Sequence, residues 1–243
     1  VKDTLYFFTD TEVEEFAKYA QSKNFDAGAV SDKDIQKLSK KVLKLAVDGL
    51  DIALFGRMVA QAPELNVQAA SSFSHAISTH AVNNEIEFFT ALDDLDTAAG
   101  HLDNLEFSSA TYYRYVSLDL GQLYESLQGE DLPKSVEAFT KALFLAIPVA
   151  RQSTMSGACG WDYAKVLVRT GQRVQLSFDK PVRAKDGFLE PSIAALKSDL
   201  EKKEKLFGSL FGKKMEFEVG GKDNEGIDEL LEALSKTIGE ING

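Results

Sequence analysis

Two short stretches carry side chains suited to gripping a nucleic-acid strand. Arg57 and Met58 follow Gly56 directly. An arginine holds a phosphate, and an unbranched, polarisable methionine can wedge against a base where a branched side chain would not fit. The bare residues favour a core methionine beside a surface arginine. Phe88, Phe89 and Thr90 form the second stretch. Aromatic rings stack on bases for roughly 1–3 kcal/mol each. The competing reading is that both rings pin the segment to its own scaffold; alternate residues of a strand face opposite ways, so that reading is expected to hold for one of the two.

Phosphate-holding charge is concentrated in one segment. The chain of 243 residues has a net charge of −11, which by itself opposes nucleic-acid binding. Between Lys141 and Lys185, however, eight basic residues face two acidic ones, leaving +6 there and −17 elsewhere. The basic residues of this segment are candidate phosphate contacts, with a solvated basic face as the competing reading. The opposite bias holds from Val82 to Glu106, where seven carboxylates meet no Lys or Arg.

Catalytic and metal chemistry find little support. His75 and His80 are five residues apart, and His101 is far from both. Metal-binding helices space their histidines by three or four, so these three read as structural or polar groups. Asp93, Asp94 and Asp96 lack the glycine-punctuated spacing of a calcium loop. The one cysteine, Cys159, excludes an internal disulfide and leaves a zinc site short of ligands. No metal or cofactor is expected, and no enzyme activity. No apolar run approaches the ~20 residues of a membrane helix, and no signal peptide is visible. A cytoplasmic location follows.

The elements that position these residues come from periodicity. Thr11 with Glu14 reads as a capping box, opening a helix with Val13, Phe16, Ala17 and Ala20 on one face. Ser31 caps a second helix buried through Ile35, Leu38, Val42 and Leu45. Ile52 to Val59 reads as a strand with Gly56 as a bulge or point of close backbone approach. Ser71 to His80 is ambiguous between strand and helix. Val82 to Glu106 fits a long hairpin turning near Ala98 to Gly100, and Ala110 to Leu118 is a β-rich, tyrosine-dense strand. A helix runs from Leu132 to Ile147, with Pro133 in its first turn and Pro148 as its stop. Ala164 to Val168 and Val174 to Phe178 alternate and read as a hairpin. Pro191 opens another helix, Met215 to Val219 reads as a short strand, and Ile227 to Ile238 is a last helix.

The blocks Asp51–Met58, Phe73–His80, Glu87–Leu95, Glu106–Ser109, Thr111–Tyr115 and Arg183–Ser192 occur in an order and spacing that resemble the Cas-seven family. The likeness is to its CasC group, the repeated backbone subunits of the type I-E CRISPR surveillance complex, Cascade. It extends to about Leu200. The resemblance implies an α+β fold: a modified RNA-recognition-motif palm of ferredoxin-like type (51–80 and 110–200), a helical fingers region (3–47) and a long β-hairpin thumb (82–109). Residues 207–243 are expected as a C-terminal extension without a counterpart. The family's first strand and helix, and its basic, serine-rich phosphate-gripping segment, have no match here. The chain is therefore expected to lack that N-terminal part.

By the same resemblance the chain is a non-catalytic scaffold. It polymerises head to tail with further copies along CRISPR RNA, displaces a base at regular intervals and presents the rest to target DNA. Other Cascade subunits are its partners, and no membrane is. The implied RNA-binding set is Arg57, Met58, Phe88, Phe89, Thr90, Arg151, Arg183 and Lys185, and the match to Gly-Arg-Met reverses the core reading of Met58. Two alternatives stand beside this: an RNA-cleaving backbone subunit of a related CRISPR effector, and a protein–protein adaptor without RNA contact, which the acidic balance suits.

Overall fold

A computed structural model describes residues 6–43, 49–60, 62–90, 102–146, 159–220 and 226–242. It is a mixture of helix and strand that divides into two compact units: Val1–Ser72, Val116–Thr170 and Lys213–Gly243 form one, Phe73–Tyr115 and Gly171–Gly212 the other.

The first unit begins with α1 (Asp10–Ser22) and α2 (Asp32–Leu43). The capping box of α1 lies two residues earlier than expected. Thr9 Oγ1 accepts the Glu12 N–H at 3.1 Å and Glu12 Oε2 accepts the Thr9 N–H at 3.0 Å. Thr9 and Thr11 both have a glutamate three residues on, so the pattern fits twice. Using the earlier pair buries Glu12 and leaves Val13 exposed. α2 starts as expected, with the Asp34 N–H donated to Ser31 Oγ.

The stretch expected as a strand from Ile52 to Val59 is instead a short helix, α3 (Leu50–Phe55), followed by a turn. Ile52, Ala53 and Leu54 are all buried, and a short all-apolar run gives no period by which to tell helix from strand. Gly56 then has φ +77°, and a Cβ there would lie 3.0 Å from both Ala69 N and Val67 O. The expected close backbone approach is present. Ala70 donates its N–H to Ala53 O and accepts from Asp119, tying α3 to β1 (Ser71–Phe73).

The core of this unit contains Leu54, Leu123, Leu127, Leu132, Val136, Phe139, Leu230, Leu234 and Ile238. These come from α3, α4 (Leu120–Ser126) and its following turn, α5 (Leu132–Leu145) and the last helix (Ile227–Asn242). Burying each such side chain contributes about 1.5–3 kcal/mol. Met215, Phe217 and Val219 of 213–219 also pack against this core. β7 (Ala164–Arg169) pairs antiparallel with β8 (Lys213–Val219), Val166 facing Phe217 and Val168 facing Met215. The expected partner, 174–178, forms no strand. Both segments alternate, but 213–219 also supplies Glu216 and Glu218, whose carboxylates pair with Lys165 of β7.

In the second unit, β3 (Glu85–Thr90) and β4 (Leu102–Phe107) pair antiparallel in unbroken register. The expected turn, 98–100, lies outside the described residues. β2 (Ile77–Ser78) pairs with β5 (Tyr112–Tyr113), while β6 (Val116–Leu118) pairs with β1. The expected single strand from Ala110 to Leu118 is thus split at Arg114. Its tyrosines explain why 174–176 needs no strand partner: the hydroxyls of Tyr115 and Tyr113 accept the N–H groups of Val174 and Leu176. Burial pushes the Tyr113 hydroxyl up. The unit closes with α6 (Leu189–Phe207); the last helix of the chain is α7. Among the described residues the strands pair two by two.

Candidate nucleic-acid interface

Met58 stands on a fixed base. Arg57 exchanges both backbone hydrogen bonds with Val67 at 2.9 Å, and the Val59 N–H is donated to Asn66 Oδ1 at 2.6 Å. The turn Pro63–Leu65 brings 66 and 67 back alongside. Arg57 and Val59 are buried, whereas Met58 between them is 84% exposed. A thioether left in water between two buried neighbours is not a core residue, so the geometry excludes that reading of Met58.

Arg57 is placed differently from the expectation. Its side chain is 3% exposed and forms a bidentate ion pair with Glu12, which is 0% exposed. Nη1 and Nη2 reach the two carboxylate oxygens at 2.6 and 2.8 Å. Nη1 also donates to Phe7 O, and Nε to Leu65 O. The expected phosphate contact at Arg57 is therefore corrected to a buried anchor, because its charge is already neutralised inside the fold. Glu12 is the residue that local sequence reasoning missed as Arg57's partner. It shows in the sequence only as the second half of Thr9-x-x-Glu12, and its partner lies far along the chain.

The hairpin of the second unit carries the other apolar candidates. Phe88 faces Asn104 and Phe89 faces Asp103 across the pair, on opposite faces. Phe88 is 72% exposed and Phe89 42%. Both faces therefore present an aromatic ring to solvent, with the larger share on Phe88. Thr90 closes the described part of β3 opposite Leu102. Glu85, Glu87, Asp103 and Glu106 of the same two strands are exposed as well.

Arg183 and Lys185 are exposed on an extended segment where Val182 and Ala184 turn inward. The Val182 N–H is held by Thr79 O at 2.8 Å. Thr79 also shares a 2.7 Å hydrogen bond with Ser192 at the start of α6. The two cations thus project from a tethered backbone. Arg151 lies outside the described residues, as do Asp93, Asp94, Asp96 and His101.

His80 is structural. It stacks on Phe188 with ring centres 3.7 Å apart, and its Nε2 accepts the Thr111 N–H at 3.1 Å. His75 is exposed. Among the described residues no His, Cys, Asp and Glu group could hold a metal ion, and no helix is long and apolar enough to cross a membrane.

The comparisons with known proteins agree with this picture at the level of fold. The fold resembles a chain of a "CRISPR RNA-guided surveillance complex, pre-nicking" at TM-score 0.66 and 22% identity, over 80% of this chain and 58% of that one. It resembles a chain of a second "CRISPR RNA-guided surveillance complex" at TM-score 0.66 and 21% identity, over 87% of this chain and 86% of that one. The chain thus spans little more than half the length of the first. Comparison with curated proteins gives no match. A model of the family described as "CT1975-like protein" matches residues 1–240, nearly the whole chain. The chain belongs to the CT1975-like family, of Cas-seven type.

Proposed function

We propose that this chain is a non-catalytic backbone subunit that binds CRISPR RNA in a Cascade-like, type I-E surveillance complex in the cytoplasm. Copies assemble head to tail along the guide beside other Cascade subunits. Each copy displaces one base and leaves the neighbouring bases to pair with target DNA. The palm (51–80 and 110–200), fingers (3–47) and thumb (82–109) divide these tasks. The observation that carries the reading is Met58, an exposed apolar side chain on an anchored loop.

The division of labour follows from charge. The hairpin has no Lys or Arg and so cannot hold RNA through phosphates. It acts by apolar insertion, with Phe88 or Phe89 and Thr90 against the displaced base and Met58 supporting the kink. Phosphates fall to Arg183, Lys185 and Arg151. Membership of the CT1975-like family and a fold shared with chains of RNA-guided complexes support this assignment.

The test is assembly on guides of stepped length, followed by native mass measurement. A scaffold adds copies in proportion to RNA length. A copy number independent of RNA would favour a protein–protein adaptor. Regularly spaced cleavage of labelled target RNA in magnesium would move the chain to the RNA-cleaving class.

A further inference from the structure

Met58 is exposed, yet the structure commits several directed interactions to the residue before it. Arg57 reaches three separate segments through one guanidinium: Phe7 O at 2.9 Å, Glu12 at 2.6 and 2.8 Å, and Leu65 O at 2.8 Å. Its backbone is fixed by the exchange with Val67, and Gly56 before it sits at φ +77° against the backbone of Val67 and Ala69. Glu12 in turn closes the capping box of α1 through the Thr9 N–H. A buried ion pair is weak evidence for stability, because well-packed apolar residues often replace it without loss. What the guanidinium fork does confer is a single geometry, since its paired bonds admit one orientation.

We propose that Glu12 and Arg57 are positioning residues for Met58. Together they set the height and direction at which the thioether leaves the surface, and they couple the α1 end of the chain to the Met58 loop. The inference rests on the reading that Met58 supports a displaced base. Neither Glu12 nor Arg57 touches RNA; both act through the residue that does. Lys in place of Arg57 keeps the charge and loses the fork, so the loop keeps its neutralised interior but no longer has one register.

The test uses the complex assembled on guide RNA and reads chemical probing of the bases together with the salt dependence of RNA retention. The variants are Met58→Ala, Arg57→Lys, and the neutral pair Glu12→Gln with Arg57→Gln, which leaves no orphaned charge. We expect all of them to retain RNA with an unchanged salt slope. We expect the periodic reactivity to be lost in Met58→Ala and equally in the two anchor variants. Periodicity lost in Met58→Ala but kept in both anchor variants would overturn the positioning role alone. Periodicity kept in Met58→Ala would overturn the reading beneath it. If neither anchor variant assembles, the pair is a folding anchor only and the inference falls.

Discussion

Replacing Arg57 by alanine should be among the most costly single changes in the first unit. Glu12 is fully buried and would keep the Thr9 N–H while losing bonds of 2.6 and 2.8 Å to the guanidinium. Removing one partner of a buried ion pair costs about 3–5 kcal/mol, because the other charge is stranded. Phe7 O and Leu65 O lose donors as well, which moves the expectation towards the upper end of that range. Against a typical stability of about 5–15 kcal/mol, such a loss is a large fraction. The assay is urea unfolding followed by fluorescence of Trp161, the one tryptophan of the chain. It packs against Phe144 with ring centres 4.2 Å apart, and so reports on the same unit. The double variant Glu12→Leu with Arg57→Leu removes both charges and should recover most of the loss. A cost below about 1 kcal/mol for Arg57→Ala, the level of one ordinary hydrogen bond, would refute the argument. So would a double variant whose cost equals the sum of the two single changes, since coupled partners are non-additive.

Four further outcomes follow from other parts of the structure. Hydrogen bonds from Lys165 and then Lys213 hold the Glu216 carboxyl below its ordinary value of 4.5. A depressed folded-state value means stability that is present above 4.5 and lost as pH falls below it. The difference in melting midpoint between the native chain and Glu216→Gln should therefore shrink on acidification; a difference independent of pH would contradict it. Gly220 has φ +73°, and an added Cβ would lie 2.2 Å from Asp162 O. Gly220→Ala should destabilise by at least about 1–3 kcal/mol, whereas Gly239→Ala, in α7 with open space around it, should stabilise by about 0.5–1 kcal/mol; urea midpoints decide both. Arg183→Ala with Lys185→Ala should weaken RNA retention and flatten its salt dependence, and an unchanged slope would remove both residues from the interface.

Much of this architecture is legible in the sequence where the period is long. Leu230, Leu234 and Ile238 recur at helical spacing and are the buried face of α7. Ser31 with Asp34 places the start of α2, and the run from Val82 to Glu106 gives both strands of the hairpin. Failures come where the deciding partner is distant. Ile52 to Leu54 are too few to show a period. β7 pairs with β8, whose Glu216 and Glu218 meet Lys165 from far along the chain, rather than with the nearer 174–178. The candidate site divides in the same way. Met58 is exposed as an interface methionine must be, while Arg57 has the residue type of a phosphate contact and the surroundings of an anchor. Only the burial of Glu12, 45 positions away, separates those two roles.

The central claim is that the exposed apolar residues of this chain shape a bound guide. The direct test is chemical probing of the guide RNA, base by base, in the assembled complex, with the native chain and with Met58→Ala, Phe88→Ala and Phe89→Ala. The account predicts reactive bases at regular intervals with the native chain, and loss of that pattern in Met58→Ala and in at least one of the two phenylalanine variants, with RNA still retained. A native complex with uniform reactivity, or a periodic pattern that survives all three substitutions, would contradict it.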